Sequence, residues 1–136
     1  TPLYSSAASD VYKRQLPLCE ARGIGIVTGG PYNSGILATG AVPGAYYNYD
    51  PAPVDILEKV AKIEVICAQF NVPLIAAALQ FPLLHNTHVA VIPGGQSAEQ
   101  TRSNIAALEC DIPSELWTSL KSAGLMHPDA PTGGPR

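Results

Sequence analysis

Two short apolar runs, each followed by a glycine-rich turn and then by helical sequence, constrain the fold most strongly. The runs lie at residues 24–28 and at His88–Ile92, and β-branched residues dominate both. Strands that alternate with helices form parallel βα units. Parallel strands are buried on both faces and need neighbouring strands, so two of them cannot form a complete sheet. The sequence therefore predicts an α/β chain that holds only part of a parallel sheet.

Helical spacing of apolar residues occupies most of the remaining chain. Leu16–Ala21 reads as the end of a helix that stops at Gly23. After a loop of about 25 residues, which is long enough to suggest a functional segment, Asp50 is predicted to cap a helix that ends near Asn71. The apolar stripe of this helix comprises Val54, Leu57, Ala61, Val65 and Ala68, and Ile56, Val60, Ile63 and Cys67 widen it on one side.

Three further helices are predicted towards the C-terminus. The first opens at Pro73 and is almost entirely apolar, so we expect it to be buried, with Pro82 distorting its last turn. The second covers residues 97–108 and begins just past the second strand. The third covers residues 114–123 and carries Leu116, Trp117 and Leu120.

Composition narrows the class of protein. The chain has 136 residues, of which 46% are hydrophobic and 14% charged, with a net charge of −3, so we expect one domain with a packed core. The few scattered cations argue against a nucleic-acid surface, and no apolar run approaches the roughly 18 residues of a membrane span. Cys19, Cys67 and Cys110 have neither disulfide nor zinc spacing. We expect three buried thiols in a reducing compartment and therefore a cytoplasmic protein.

Residues 1–15 differ from the rest of the chain. They have no sustained period, and the stretch SSAASDVYKRQ resembles translated adapter sequence. We therefore expect residues 1–15 to be non-native or disordered, and residues 16–136 to be the C-terminal part of a larger protein. A small complete domain with a disordered tail is the alternative.

Two familiar phosphate-binding motifs do not fit the glycines. The sequence GIGIVTG at residues 23–29 has its glycines before and inside the strand, whereas a dinucleotide fingerprint needs them after it. Residues 30–35 have the glycine spacing of a nucleotide triphosphate loop, but Ile36 and Leu37 stand where Lys and Ser or Thr are required. If these glycines bind a phosphate, they must do so in an arrangement other than these two motifs.

The two strand ends together offer such an arrangement. The carboxyl ends of parallel strands meet at one edge, where GGPYNSG follows one strand and PGGQS the other. Glycines allow close approach of the backbone to a phosphate, and a helix start supplies N–H groups and the positive end of the dipole. Ser97 can cap this helix, with Gln100 and Asn104 on the same face. A plain helix cap without any ligand remains the alternative.

The segments VTGGPYNSGIL, ALQFPLLH and VIPGGQSAEQTRSNIAAL, in this order and spacing, resemble the C-terminal third of aldo-keto reductases. The resemblance covers residues 16–128 and is strongest to the branch of bacterial sugar dehydrogenases that act on L-fucose and related aldoses, and to the neighbouring pyridoxal dehydrogenases. It implies an α/β fold that is a partial (β/α)8 TIM barrel, with strands seven and eight and the helices that come after them.

The resemblance also implies a nicotinamide dinucleotide bound by both turns. Gly29 stands where many members of the family have an aromatic ring that stacks on the nicotinamide. Tyr32 or a segment outside this chain is the candidate to replace that ring, and a Tyr32 ring that only packs on the rim of the barrel is the alternative. Tyr46, Tyr47 and Tyr49 in the long loop are expected to close over cofactor or substrate, and loop aromatics that only face solvent are the alternative. The residues implied in cofactor binding are Gly29, Gly30, Pro31, Tyr32, Asn33, Ser34, Gly35, Gly94, Gly95, Gln96, Ser97, Gln100 and Asn104.

Cofactor preference depends on two of these positions. Members of the family that prefer NADP often carry Lys at the position of Gly94 and Arg at that of Gln100, and both cations are absent here. An Arg–phosphate pair is bidentate and charge-assisted, so its loss favours NAD over NADP. Arg102 lies about 200° around the helix from Gln100 and is expected to face solvent.

The resemblance implies hydride transfer between the nicotinamide and an aldose or another small carbonyl or alcohol. The family's catalytic Asp, Tyr, Lys and His belong to earlier strands, so we assign no catalytic residue here, and no metal. His85 and His88 are expected at the opposite end of the second strand. A regulatory barrel resembling potassium-channel beta subunits, which would bind the dinucleotide without efficient turnover, is the alternative function.

Overall fold

Two parallel strands form the sheet, as the repeated βα pattern predicts. In a computed structural model that describes residues 14–132, strand β1 (Ile26–Gly29) pairs in parallel with strand β4 (His88–Ile92). The register joins Val27 to Ala90 and Gly29 to Ile92. The predicted non-native or disordered segment, residues 1–15, lies almost wholly outside the described residues.

Helices account for most of the remaining described chain, and the helices that were predicted occur in the predicted order. A 3-10 turn at Phe81–Leu84 extends the helix predicted from Pro73, so Pro82 does distort that end. The other elements, in chain order, are α1 (Leu16–Ala21), α2 (Ile36–Thr39), β2 (Tyr46–Tyr47), β3 (Asp50–Pro51), α3 (Val54–Gln69), α4 (Leu74–Gln80), α5 (Ala98–Glu109) and α6 (Ser114–Ser122).

Strand β1 begins two residues later than predicted and also includes Gly29. The backbone N–H of Ile24 donates to the carbonyl of Cys19 at 2.9 Å, so Ile24 still completes the end of α1. Gly23 supplies the left-handed turn there, with φ +64°, as predicted for the residue that stops this helix. β-Branching alone therefore placed the strand too early.

The long loop contains structure that the sequence did not predict. Helix α2 comes directly after Gly35, and β2 and β3 form a small antiparallel hairpin in which Tyr47 pairs with Asp50. The prediction that Asp50 caps the next helix is wrong, because its backbone belongs to the hairpin and Pro53 is the residue that precedes α3.

The face that α3 buries is narrower than the predicted stripe. Val60 and Cys67 are buried, and Ile63 is partly buried. Val54 and Val65, assigned to the same stripe, are 71% and 60% exposed. The helix contacts its neighbours through the residues that were predicted only to widen the stripe. The buried face is therefore rotated by part of a turn from the predicted one.

The core lies between α3, α4, α5 and α6. Helix α4 is buried as predicted, with Ala76 and Leu79 almost completely enclosed. Helix α6 contributes Leu116, Trp117 and Leu120, and the ring of Trp117 lies 6.1 Å from that of Phe81. Within the described residues, no single helix has the length and apolarity of a membrane span. The segments Val54–Gln69 and Leu74–Leu84 reach that length and apolarity only when they are counted together, and they are bent by 98° relative to each other.

All three cysteines are free thiols, but only one of them is buried as predicted. Cys67 is 1% exposed, whereas Cys19 and Cys110 are partly exposed. Burial, together with the nearby charge of Glu64, raises the pKa of the Cys67 thiol to about 11. This thiol is therefore a packing group, which fits its place on the buried side of α3.

Gly40 anchors the loop that comes after α2 to helix α3. It has φ +84°, and the carboxylate of Glu64 accepts a hydrogen bond from the N–H of Ala41 at 3.0 Å. A Cβ on Gly40 would collide with this same carboxylate. Glu64 can therefore hold the loop only while residue 40 lacks a side chain.

We expect Gly40→Ala to destabilise the protein by about 2 kcal/mol, measured by urea unfolding. The left-handed backbone contributes about 1 kcal/mol, and displacement of the hydrogen-bonded Glu64 carboxylate contributes about as much again. Gly44→Ala is the matched control, because Gly44 has φ +81° but nothing within 4 Å of an added Cβ. Equal losses for the two variants would contradict the role given to Glu64.

Candidate functional site

The turns after β1 and β4 leave the sheet at the same edge. Gly29 pairs with Ile92 at the carboxyl end of both strands, and the N–H of Gly30 donates to the carbonyl of Ile92 at 3.3 Å. Gly94 and Gly95 come shortly beyond Ile92 in the chain. The two glycine-rich segments are therefore brought together, as predicted.

A groove of about 530 Å³ lies between these segments. Ten of the thirteen residues implied in cofactor binding line it, while Gly29, Pro31 and Ser97 do not. The ten are Gly30, Tyr32, Asn33, Ser34, Gly35, Gly94, Gly95, Gln96, Gln100 and Asn104.

Four residues that were not assigned to the site complete its lining together with Tyr49, which was expected to close over cofactor or substrate. Ser103 could have been found from spacing, because it lies three positions from Gln100 on the same helix face. Ala38, Thr39 and Ile75 come from helices that pack beside the groove, and Tyr49 comes from the hairpin turn. The places of Ala38, Thr39 and Ile75 depend on how α2 and α4 pack, which local patterns do not specify.

The start of helix α5 is capped by its own side chains. The Oγ of Ser97 accepts a hydrogen bond from the N–H of Gln100 at 3.2 Å, which confirms the predicted cap. In return, Oε1 of Gln100 accepts from the N–H of Gln96 at 2.7 Å. This reciprocal pair resembles a capping box. It fixes the turn between Gly94 and the helix, and it places the positive end of the helix dipole beside the groove.

Asn104 joins the two glycine-rich segments. Its Oδ1 accepts a hydrogen bond from the hydroxyl of Tyr32 at 2.6 Å, and its Nδ2 donates to the carbonyl of Gly94 at 3.1 Å. Tyr32 belongs to the turn after β1 and Gly94 to the turn after β4. Both polar atoms of the Asn104 amide are therefore used to hold the two walls of the groove in register.

Tyr32 is placed in the core more than in the groove. Its side chain is 9% exposed and packs with the apolar cluster around α4, and burial raises the pKa of its hydroxyl. The ring therefore has little free face, and the prediction that it stacks on a nicotinamide is not supported by its position.

The turn after β1 is held by the hairpin. Oδ1 of Asn33 accepts from the N–H of Asn48 at 2.9 Å, and Oγ of Ser34 accepts from the N–H of Tyr49 at 2.8 Å. All four residues have positive φ, between 43° and 70°. A left-handed backbone is unfavourable for residues with a Cβ, so these two cross-loop hydrogen bonds maintain a conformation that neither segment would adopt alone.

No charged side chain among the described residues lines the groove, which decides how it could hold an anion. Arg102 is exposed and does not line the groove, as predicted from its position on the helix. An anion placed here would be bound by backbone N–H groups and the dipole of α5. Added Cβ atoms at Gly30 and Gly94 would meet no protein atom within 4 Å, so the backbone there is open to a ligand.

The histidines lie elsewhere. His88 begins β4, at the end of the strand remote from the groove, and His85 contacts Thr87 through Nδ1 at 2.7 Å. Burial, and secondarily the nearby His85, lowers the pKa of His88. Among residues 14–132, no group of three His, Cys, Asp or Glu side chains has the arrangement of a metal site.

Comparison with known proteins finds related dehydrogenases. The chain is 41% identical over 114 residues to a pyridoxal 4-dehydrogenase of Microbacterium luteolum, which covers 84% of this chain and 33% of that protein. It is 35% identical over 127 residues to a D-threo-aldose 1-dehydrogenase of a Pseudomonas species, covering 93% of this chain and 37% of that protein.

A more distant relative is an aryl-alcohol dehydrogenase of Pestalotiopsis microspora, 26% identical over 115 residues, covering 82% of this chain and 30% of that protein. The chain thus spans about a third of the length of the curated relatives it matches. The model of the aldo/keto reductase family matches residues 2–124. The chain belongs to the aldo/keto reductase family, whose fold is the (β/α)8 TIM barrel.

Proposed function

We propose that the whole protein is an NAD(P)-dependent oxidoreductase and that this chain supplies the part that binds the dinucleotide. In this proposal β1 and β4 are strands seven and eight of the barrel. The observation that carries it is the single groove formed by Gly30, Gly94 and Gly95 at the shared carboxyl edge of the strands. In barrels of this kind, phosphate groups bind at that edge, between these loops and a helix start.

The residues of the groove suit a diphosphate bridge. Gly30 and Gly94 leave their backbone open to close approach. Helix α5 has 12 residues, enough for a developed dipole at its start, where Ser97 and Gln100 fix the turn. When bound, the nicotinamide would supply hydride chemistry, and these residues would bind and orient the dinucleotide.

The proposed substrates are alcohols or hemiacetals of small molecules. The relatives are named for pyridoxal, D-threo-aldoses and aryl alcohols, and all three are dehydrogenases. We propose oxidation of an aldose, with L-fucose as the first compound to test. The relatives' names do not favour the regulatory beta-subunit alternative.

The test is turnover and binding by the purified whole protein. L-Fucose, a D-threo-aldose, pyridoxal and an aryl alcohol are each offered with NAD and with NADP, and formation of the reduced nicotinamide is followed by its absorbance. Binding of either dinucleotide is measured by calorimetry. Absence of dinucleotide binding would refute the proposal, whereas binding without turnover of any substrate would support the regulatory alternative.

We also propose that NAD is used at least as well as NADP, because none of the described residues that line the groove is a cation. Gln100→Arg is then expected to shift the ratio of affinities towards NADP by about tenfold, since a guanidinium can pair with the 2′-phosphate through two charge-assisted hydrogen bonds. Arg102→Lys is the control outside the groove and should leave the ratio unchanged. An unchanged ratio in Gln100→Arg would contradict the placement of the adenosine ribose beside this residue.

A further inference from the structure

The three tyrosines of the hairpin have different surroundings. Tyr47 packs against the cluster formed by Ile36, Ala45 and Val60. Tyr46 is 51% exposed and does not line the groove. Tyr49 is 91% exposed and lines the groove. Of the three, only Tyr49 both lines the groove and has a largely solvent-accessible side chain.

The backbone of Tyr49 is held in place although its ring is free. Its N–H donates to Oγ of Ser34 at 2.8 Å, and the preceding N–H, of Asn48, donates to Oδ1 of Asn33. Tyr49 has φ +70°, a conformation that side-chain-bearing residues rarely adopt. Strain of this kind is retained where surrounding structure enforces it, and it is frequently found at ligand-binding positions.

We propose that Tyr49 is a cofactor-binding residue whose ring stacks on the adenine of the dinucleotide. This inference rests on the proposed function. Aromatic side chains on a fixed backbone bind nucleobases by stacking, because every base has a π-face. Among the described residues of the lining, none is a charged side chain that could otherwise cover a purine ring, and Tyr49 is the one with a free flat surface.

The lining of the groove indicates the adenine end of the dinucleotide. Thr39 belongs to α2 and Ile75 to α4, and Gln100 and Ser103 project from α5. Strands surround the axis of a (β/α)8 barrel and helices lie outside them. The part of the groove that these helices line therefore lies away from the axis. The nicotinamide must reach the substrate near the axis, so the helix-lined part of the groove suits the adenosine.

The experiment compares three ligands that share different parts of the dinucleotide. Affinities of the protein for NAD, ADP-ribose and nicotinamide mononucleotide are measured by calorimetry in wild type, Tyr49→Asn, Tyr49→Phe and Tyr46→Ala. Asn removes the ring but tolerates the left-handed backbone, and Phe keeps the ring without its hydroxyl. Tyr46→Ala removes the neighbouring exposed ring of the same hairpin and is the matched control.

We expect Tyr49→Asn to lower the affinity for NAD and for ADP-ribose about tenfold, since loss of a stacked ring weakens a base contact by roughly this factor or more. The affinity for nicotinamide mononucleotide should be unchanged. Tyr49→Phe and Tyr46→Ala should bind like wild type. Circular dichroism confirms that each variant is folded, and Tyr49→Trp, which enlarges the ring, should bind at least as tightly as wild type.

The possible failures are distinct. If wild type binds NAD, and Tyr49→Asn binds ADP-ribose with unchanged affinity, the stacking proposal is overturned and the proposed function stands. A loss confined to nicotinamide mononucleotide overturns the assignment to adenine, and an equal loss in Tyr49→Phe points to the hydroxyl and overturns stacking. Wild type that binds none of the three ligands overturns the proposed function and this inference together.

Discussion

Gly94→Asp is expected to weaken NAD binding about 100-fold without unfolding the protein. The described lining of the proposed diphosphate site contains no cation, and its attraction for an anion depends on N–H groups and a helix dipole. Two unit negative charges about 5 Å apart repel by about 3 kcal/mol at an effective dielectric constant near 20. This corresponds to roughly two powers of ten in affinity.

The fold should tolerate this change. Gly94 is exposed, has a φ outside the left-handed region, and has no atom within 4 Å of an added Cβ. Its carbonyl, which accepts from Asn104, is unaffected by a side chain. Gly94→Asn is the matched control, with nearly the same volume and no charge, and it should weaken binding only severalfold. Calorimetric titration with NAD measures the affinity of both variants. Similar losses of affinity would mean that the size of the added side chain, and not its charge, weakens binding, and that no phosphate lies beside Gly94.

The parts of the fold that are encoded locally were predictable. Strand β4 and the cap at Ser97 lie where apolar runs and turn residues placed them. Helix α6 ends within a residue of its predicted end, because its buried side chains recur at helical spacing. Convergence of the two glycine-rich turns could also be predicted from sequence, since parallel strands carry their carboxyl ends to one edge.

The hairpin could not be predicted in the same way. Its turn residues Asn48 and Tyr49 owe their left-handed backbone to acceptors on Asn33 and Ser34, which lie 15 positions earlier. The sequence alone does not show that these acceptors lie nearby, and Asp50 followed by Pro51 then resembles a helix start. Long-range hydrogen bonds thus overrode a local capping signal.

The roles of the two polar residues nearest the turns were also hidden from the sequence. Spacing placed Asn104 beside the expected ligand and the family resemblance placed Tyr32 there, but neither could show that the two residues bond to each other across 72 positions. Their mutual hydrogen bond makes them structural links between the walls of the groove. A residue type that suits a ligand can equally satisfy a neighbour, and only the packed structure distinguishes the two.

Leu116→Ala, in the last helix, is expected to lower the stability of the protein strongly. Leu116 is 0% exposed and belongs to the same core cluster as Leu79 and Trp117. Removing three buried carbons leaves a cavity that the surrounding helices fill only in part, and such changes destabilise by about 3 kcal/mol or more. The next residue is Trp117, so its fluorescence reports unfolding at this position.

Leu108→Ala is the matched control, because Leu108 is 48% exposed on α5 and its truncation should cost about 1 kcal/mol. Urea unfolding followed by fluorescence and by circular dichroism measures both variants. If α6 is an integral part of the core, the two signals shift together in Leu116→Ala. A fluorescence change at low urea, with the helical signal of the remaining protein unaltered, would show instead that α6 detaches independently and that the core does not depend on it.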